Sequence, residues 1–267
     1  MEEKKRTLPW WMPIPIGAAA VVVVIIISVL IFGGEGKPGS VLPPAPDGST
    51  NASSSEVISS KPTSGESEQV EDDPKFDELA QLYEKNPDLW GWLRVEGTQL
   101  DEPIMFTPEN EQKYIYTDFD GNHDAAGELF IDKDCSVDPM SDNLIIYGHN
   151  MRNGSMFKTV MHYEEKSFWE EHPIIEMYTL GEKKEFEVVA AFYDKIYYKT
   201  DTCFKFYQFV DAADEAEFNE AYQYYKSNSV YDTGVTAEYG DQLITLVTCS
   251  YHEEDGRFVV IGREITP

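Results

Sequence analysis

The first pattern along the chain is a long uncharged segment near its amino terminus. Residues 10–32 read WWMPIPIGAAAVVVVIIISVLIF, and from Ile16 onward the run is apolar over close to the roughly 20 residues that a bilayer-spanning helix needs. The basic stretch KKR at positions 4–6 precedes this run and favours a cytoplasmic N-terminus. The pattern predicts a cytoplasmic segment over residues 1–9, a single transmembrane anchor over residues 10–32, and a remainder outside the cell.

A cleaved secretory signal peptide is the competing interpretation of this segment, because such peptides also place basic residues before an apolar core. The run is long for that role, and the FGGEGKPGS that follows offers no clear A-x-A-like cleavage site. A retained anchor in the cell membrane is therefore the favoured hypothesis.

Residues 33–73 carry almost no large apolar side chains and are rich in Gly, Pro and Ser. Such a stretch buries too little surface to offset the entropy lost on ordering it. We expect a flexible linker that holds a folded extracellular domain, residues 74–267, away from the membrane.

The folded domain begins with a helical pattern and continues mainly with strand patterns. In DPKFDELAQLYEKNPDLWGW the apolar residues Phe76, Leu79, Leu82 and Tyr83 share one helical face, and the helix is predicted to end near Asn86-Pro87. Eight short β-type runs follow, most of them bounded by Gly, Asp, Asn or Pro: LRV, LDEPIMF, ELFID, NLIIY, IIEMYTL, FEVVAAFYD, QLITLVT and RFVVIGREI.

A second helix is predicted between the sixth and seventh of these strands. Within DAADEAEFNEAYQYYKSN, the residues Phe218, Tyr222 and Tyr225 recur at helical spacing. Eight short strands with flanking helices predict a mostly β fold, either a barrel or a sandwich.

Charge excludes some partners for this domain. The chain has 21 Lys and Arg against 49 Asp and Glu, a formal net charge of −28. Residues 1–73 account for 5 and 10 of these, so residues 74–267 hold 16 against 39, a net of −23. An acidic surface of this kind argues against nucleic acid and anionic lipid headgroups as partners.

Cysteine is sparse for an exported chain, since only Cys135, Cys203 and Cys249 are present. A domain of this length has its own core and needs no disulfide framework, although Cys135 and Cys203 could pair. Neither a Cys-x-x-Cys nor a His-x-x-x-His metal pattern occurs, and we expect no metal or organic cofactor. An odd number of cysteines leaves at least one free thiol, which suggests a chemical role.

Cys249 ends the strand QLITLVT beside a polar loop, a position that leaves a thiol partly accessible. The reactive form of cysteine is the thiolate, so a nucleophilic Cys needs a basic or positive neighbour. His149 follows NLIIYG at the end of another strand and is the preferred candidate for the base, with His252 in the acidic loop second. The remaining histidines, His123, His162 and His172, occupy positions typical of solvated residues.

Arg257 begins the strand that follows the Cys249 loop. One interpretation makes it a solvated cation at a strand edge. The other makes it a fixed hydrogen-bond donor to the oxyanion that forms when a thiolate attacks a carbonyl.

Three motifs built on these residues resemble those of the sortases, the membrane-anchored cysteine transpeptidases of Gram-positive bacteria. TLVTC resembles the sortase Thr-Leu-x-Thr-Cys signature, YGHNM the segment with the catalytic His, and GRFVV the strand with the catalytic Arg. They occur in family order over about 110 residues, with His149 lying 100 positions before Cys249.

The rest of the domain is similar to class B of that family. NPDLWGWLRVEGTQLDEPIM and YIYTDFDGNHDAAGELFID resemble its N-terminal helix and first strands, and the helix after the sixth strand resembles its insertion. The resemblance covers residues 74–267 and implies a closed eight-stranded sortase barrel with flanking helices.

The resemblance also implies a mechanism and its partners. Cys249 would attack the carbonyl of a Thr in a C-terminal sorting signal to give a thioacyl-enzyme, which an amine then resolves. His149 would transfer protons and Arg257 would hold the oxyanion, whereas Thr248 and Leu246 belong to the signature either as substrate contacts or as strand-packing residues. The implied partners are surface proteins or pilins that bear Asn-Pro-x-Thr or Ser/Pro-Pro-x-Thr signals, and an amine of peptidoglycan, lipid II or a pilin.

Two other functional classes fit parts of the sequence. Another cysteine enzyme of the cell wall is one, but a papain-like order places the His well after the Cys, and L,D-transpeptidases place Gly and Ser before it. The other is a non-catalytic binding module on a tether, in which Cys249 is a buried small hydrophobe. The accessibility of the Cys249 thiol distinguishes this second class from an enzyme.

Overall fold

Residues 73–266 are described by the computed structural model, and they form eight strands and four α-helices. The strands are β1 (Leu89–Arg94), β2 (Asp101–Met105), β3 (Leu129–Ile131), β4 (Asn143–Tyr147), β5 (Ile174–Thr179), β6 (Lys183–Lys195), β7 (Leu243–Cys249) and β8 (Gly256–Glu264). The helices are α1 (Pro74–Lys85), α2 (Lys158–His162), α3 (Lys166–Glu171) and α4 (Glu215–Asn228).

The strands close into one barrel in the order β1-β2-β3-β4-β7-β8-β6-β5. The pairs β2/β3 and β4/β7 are parallel, and the other six pairs are antiparallel. Closure pairs β5 with β1, so each of these strands has a hydrogen-bonded neighbour on both sides. The predicted eight-stranded barrel is confirmed, and the sandwich alternative is wrong.

All eight predicted strand runs are strands, although three of them begin earlier than predicted, the last by the single residue Gly256. The first begins at Leu89 rather than Leu93 because alternate residues of LWGWLR face the core. The sixth begins at Lys183 rather than Phe186 because it forms a hairpin with β5, in which Lys183 lies opposite Tyr178.

Both predicted helices have the caps that their sequences suggest. The Asp73 carboxylate accepts a hydrogen bond from the Lys75 amide at 3.0 Å, and α1 ends at Lys85, before Asn86-Pro87. The Asp214 carboxylate accepts from the amides of Ala216 and Glu217 at 2.9 and 3.0 Å at the start of α4. One face of α4 packs on the barrel through buried Phe218, Ala221 and Tyr225.

A buried polar link joins the parallel strands β4 and β7 to the segment that precedes α4. The Thr245 hydroxyl donates to Asn143 Oδ1 at 2.8 Å, and Asn143 Nδ2 donates to the Phe209 carbonyl at 2.7 Å. Both side chains are fully buried. Their hydrogen bonds favour one register of these strands, because a shift would leave buried polar groups unpaired.

No helix within residues 73–266 is long and apolar enough to cross a bilayer. The predicted cytoplasmic segment 1–9, anchor 10–32 and linker 33–73 lie outside the described residues, apart from Asp73.

Replacing Thr245 with Val should lower the stability of the domain by about 1–3 kcal/mol, because the near-isosteric change leaves Asn143 Oδ1 buried without its donor. Equilibrium unfolding in urea measures this change. Thr236→Val is the matched control, since Thr236 is exposed and should change stability by less than about 0.5 kcal/mol. Equal stability of both variants would show that the buried link contributes nothing to the fold.

Candidate active site

Parallel pairing brings the ends of β4 and β7 to the same rim of the barrel. The register pairs each β4 residue with the β7 residue 100 positions later, from Asn143 opposite Leu243 to Tyr147 opposite Val247. Beyond β4, the Gly148 amide donates to the Val247 carbonyl at 3.1 Å and the Thr248 hydroxyl to the Gly148 carbonyl at 2.8 Å. When the same 100-residue offset is continued for two residues beyond Tyr147, His149 lies beside Cys249.

Cys249 and Arg257 are neighbours across the antiparallel strands β7 and β8, where they form the last register pair. The connecting loop is closed by a hydrogen bond of 3.0 Å from the Ser250 amide to the Gly256 carbonyl. Gly256 is required there, since a Cβ would come within 2.7 Å of the Ser250 carbonyl oxygen. The short loop therefore fixes Cys249 and Arg257 opposite each other, where both line the same cleft.

The Arg257 side chain is held by the main chain at the start of β8. Its Nη1 donates to the carbonyls of Asp255 and Gly256 at 3.1 and 2.9 Å, and the residue is only 7% exposed. Asp255 adopts a positive φ of 58°, which turns the chain at this point. The interpretation of Arg257 as a solvated cation is wrong, because the guanidinium is buried and directed.

His149 is oriented by the segment between β2 and β3. Its Nε2 lies 2.8 Å from the Ile115 carbonyl, and its ring stacks on Tyr116 with centroids 5.5 Å apart and planes at 25°. A carbonyl can only accept, so Nε2 carries a hydrogen and Nδ1 is the nitrogen left to gain or lose a proton.

Two further residues of YGHNM keep this segment in place. A Cβ on Gly148 would lie 2.6 Å from Leu129 Cδ2 and 2.7 Å from Phe157 Cγ, so only glycine fits. Asn150 Nδ2 donates to the Cys249 carbonyl at 2.9 Å and joins the two motifs directly.

Cys249, His149 and Arg257 line one cleft with about 650 Å³ of free space. Its walls are largely apolar, and Thr248 and the carboxylate of Glu111 also border it. The other lining residues are Gln112, Ile115, Phe130, Tyr147, Gly148, Ile196 and Val247. Apolar walls around a few polar groups are typical of a site that binds an extended peptide or a small ligand.

One side of the cleft is acidic and strongly desolvated. The Tyr147 hydroxyl donates to Asp132 at 2.9 Å, and burial raises the pKa of Asp132 above its usual value. Burial also raises the pKa of Glu111, and the nearby charge of Asp132 raises it further. Any positive group of a ligand would be attracted to this side.

Of the other predicted site residues, Leu246 and His252 lie outside the cleft and Thr248 borders it. Leu246 is fully buried in the barrel core and does not line the cleft, a position typical of a packing residue. Thr248 borders the cleft, but its hydroxyl is committed to the Gly148 carbonyl. His252 is exposed, with its ring nitrogens near Ser250 Oγ and Glu253 Oε1 at 2.9 and 3.2 Å.

The three cysteines are free, so pairing of Cys135 with Cys203 is absent from this structure. Within the described part of the chain, no group of three His, Cys, Asp or Glu side chains is arranged to hold a metal ion.

Sequence reasoning missed the residues that orient His149 and Cys249. Ile115 and Tyr116 lie more than 30 positions before His149, and no local pattern marks their role. Asn150 was visible as the neighbour of His149 in YGHNM, but its bond to Cys249 depends on the strand register.

Comparisons with known proteins agree with this geometry. A family model described as a sortase domain matches residues 93–265. Sortase B of Listeria monocytogenes is 33% identical over 192 residues, which cover 71% of this chain and 75% of that protein. Sortase B of Staphylococcus aureus is 29% identical over 194 residues, covering 72% and 75%.

Solved structures give the same picture. The Staphylococcus aureus sortase B–substrate complex superposes with a TM-score of 0.63 at 26% identity, covering 71% of this chain and 85% of that chain. Clostridium perfringens sortase B superposes with a TM-score of 0.60 at 26% identity, covering 70% and 99%.

Thiol labelling of the folded chain with iodoacetamide at neutral pH should modify Cys249 and Cys203 but spare Cys135. Cys249 is partly exposed at the cleft and Cys203 is exposed, whereas burial raises the pKa of the Cys135 thiol to about 12. Mass spectrometry of peptides locates the labels, and labelling after unfolding provides the control for Cys135. An unlabelled Cys249 in the folded chain would instead favour the binding module.

Proposed function

This chain belongs to the sortase family, in its class B, and on that premise we propose that it cleaves a C-terminal sorting signal after Thr and transfers the protein to an amine. The observation that carries this proposal is the cleft shared by a partly exposed thiol, an oriented imidazole and a buried guanidinium. No other described cysteine has this set of neighbours.

In the first step Cys249 Sγ, as the thiolate, attacks the carbonyl carbon of the Thr residue and forms a tetrahedral intermediate. Arg257 stabilises the oxyanion, because its guanidinium is held rigidly by two carbonyls and needs no reorganisation. The C–N bond then breaks, and His149 protonates the leaving amine to give the thioacyl-enzyme.

In the second step His149 accepts a proton from the incoming amine as that amine attacks the thioacyl carbon. Nδ1 is the atom proposed to carry this proton, since Nε2 remains bonded to the Ile115 carbonyl throughout. Breaking of the C–S bond releases the new amide and returns Cys249 to its starting form. The acceptor amine belongs to peptidoglycan or its lipid II precursor, or to a pilin subunit.

Two features support an enzyme over a non-catalytic binding module. A small hydrophobic Cys in a core would be fully buried, whereas Cys249 is partly exposed at a cleft. The cleft also collects an imidazole and a guanidinium, which a structural role for Cys249 does not require. Another type of wall cysteine peptidase is disfavoured because the fold and family are those of sortases.

We also propose the location and layout that the sequence predicts. Residues 1–9 are cytoplasmic, residues 10–32 anchor the chain in the cell membrane, and residues 33–73 tether the catalytic domain, residues 74–267, outside the cell. This layout places the active site where exported proteins and wall precursors meet.

Cys249→Ala should abolish both the covalent adduct and the transpeptidation product, because no other group can form the thioacyl bond. The assay incubates the protein with a panel of sorting-signal peptides and an amine acceptor and follows adduct and product by mass spectrometry. Cys203→Ala is the matched control and should keep nearly full activity, as should Cys135→Ala. Product formation by Cys249→Ala would refute the proposed nucleophile.

In the same assay His149→Ala should reduce the rate by about 10²- to 10⁴-fold, the usual contribution of a general acid–base. His252→Ala serves as the control and should change the rate only mildly, since His252 lies outside the cleft. Arg257→Lys retains the charge but loses the planar fork, so a large loss is expected if directional hydrogen bonds hold the oxyanion. An inactive His252→Ala with an active His149→Ala would show that the base is wrongly assigned.

Protease added to intact protoplasts should remove the catalytic domain and spare a small N-terminal fragment, because the proposed anchor leaves residues 33–267 outside the membrane. Immunoblotting of the fragment measures this, and lysed protoplasts provide the control. Release of the chain into the medium with a new N-terminus near Gly33 would instead establish a cleaved signal peptide.

A further inference from the structure

A second cleft opens away from Cys249, between the turn that joins β1 to β2 and the segment from Arg152 to His172. It has about 810 Å³ of free space. Its lining residues are Gly97, Thr98, Gln99, Arg152, Asn153, Gly154, Lys158, Thr159, His162, Phe168 and His172. None of them borders the catalytic cleft.

The charge of this second cleft is opposite to that of the protein. Four of its eleven lining residues are basic, namely Arg152, Lys158, His162 and His172, and none is acidic. The whole chain, in contrast, has 49 acidic residues against 21 Lys and Arg. Among residues 73–266, no carboxylate lies within ion-pair distance of Arg152 or Lys158.

Two neutral side chains in the second cleft also have hydrogen-bond donors without a protein partner. Thr159 is only 2% exposed, yet its hydroxyl makes no hydrogen bond to any described residue, and it lines the cleft. Asn153 Oδ1 already accepts from the Ser155 amide and hydroxyl at 3.2 and 2.8 Å, which leaves the Asn153 amide hydrogens available. Asn153 is exposed, and the Thr159 hydroxyl is not among the buried polar atoms without a partner, so both donors are accessible from the cleft to a ligand that accepts hydrogen bonds.

The positive charges of the basic groups repel one another when no anion is bound. Burial lowers the pKa of His162 and the adjacent charge of Lys158 lowers it further, against a smaller opposing effect of Glu164. A bound anion would offset this repulsion. Arg152 and Lys158 supply the charge, and Thr159 and Asn153 supply directed donors, which is the combination that phosphate oxygens require.

We propose that this cleft is a binding site for a phosphate ester carried by a soluble glycan or polyol. The cleft is larger than a single phosphate group and mainly polar, with Phe168 as its one large apolar side chain, so it suits a hydroxylated carrier better than an acyl chain. The net charge of −28 also opposes approach to an extended anionic lipid surface. The proposal does not depend on the reaction assigned to Cys249.

The cleft has a direct main-chain connection to the proposed catalytic base. Arg152 and Asn153 lie in a loop closed by the bridge between Asn150 and Met156 and by a hydrogen bond of 2.9 Å from the Phe157 amide to the His149 carbonyl. A ligand held by Arg152 and Lys158 would therefore hold the same loop that positions His149.

The test is isothermal titration of the full-length chain, solubilised in a nonionic detergent, with inorganic pyrophosphate. Lys158→Gln and Arg152→Gln should each weaken binding by about tenfold, the effect of losing one charge-assisted contact, and the double variant should bind no more than background. Lys85→Gln is the matched control, because Lys85 is exposed on α1 with no ion pair in the described residues. Thr159→Val should weaken binding without removing charge.

Equal binding by the wild type and the double variant would overturn the proposal, as would an equal loss in Lys85→Gln. Unchanged thermal unfolding of each variant shows that a lost affinity reflects the site and not the fold. A second titration compares glycerol 3-phosphate with dihexanoyl phosphatidylglycerol below its micelle concentration. Similar affinities for the two compounds support a soluble phosphate ester as the ligand. Binding of the phosphatidylglycerol that is tighter by at least about tenfold would refute a soluble ligand.

Discussion

The parallel pairing of β4 with β7 is the constraint on which the rest of the site depends. A constant offset of 100 residues runs through that pair, and the hydrogen bonds of Gly148 and Thr248 extend it beyond the strands. Because side chains alternate along a strand, a slip of one residue would turn every partner to the opposite face. The buried Thr245–Asn143 hydrogen bond opposes such a slip, because it would lose its partner.

The main chain then orients the functional side chains at the rim. The Ile115 carbonyl holds His149, and the carbonyls of Asp255 and Gly256 hold Arg257. Asn150 joins the His149 segment to the Cys249 carbonyl. These contacts are all to the chain itself, so the imidazole and guanidinium are oriented without a ligand, which is the condition for electrostatic catalysis without reorganisation.

The distribution of charge separates two surfaces with different chemistry. The catalytic cleft has apolar walls, one cation and an acidic side formed by Glu111 with Asp132 behind it. The second cleft has four basic residues and no carboxylate in an otherwise acidic chain. They are linked by the segment from His149 to Phe157, in which His149 lines the catalytic cleft and Arg152, Asn153 and Gly154 line the second cleft.

The sequence by itself determined the elements and the reactive residues. Short β-type runs bounded by Gly, Asp, Asn or Pro revealed eight strands, helical spacing revealed α1 and α4, and TLVTC, YGHNM and GRFVV marked Cys249, His149 and Arg257. These signals are local, since each depends on neighbours a few positions apart. The strand pattern alone left a barrel or a sandwich open, and the β4/β7 register, the roles of Ile115 and Tyr116, and the basic cleft were decided only by the tertiary structure. They join residues tens of positions apart, and which distant strands pair depends on the packing of the whole core rather than on any segment alone.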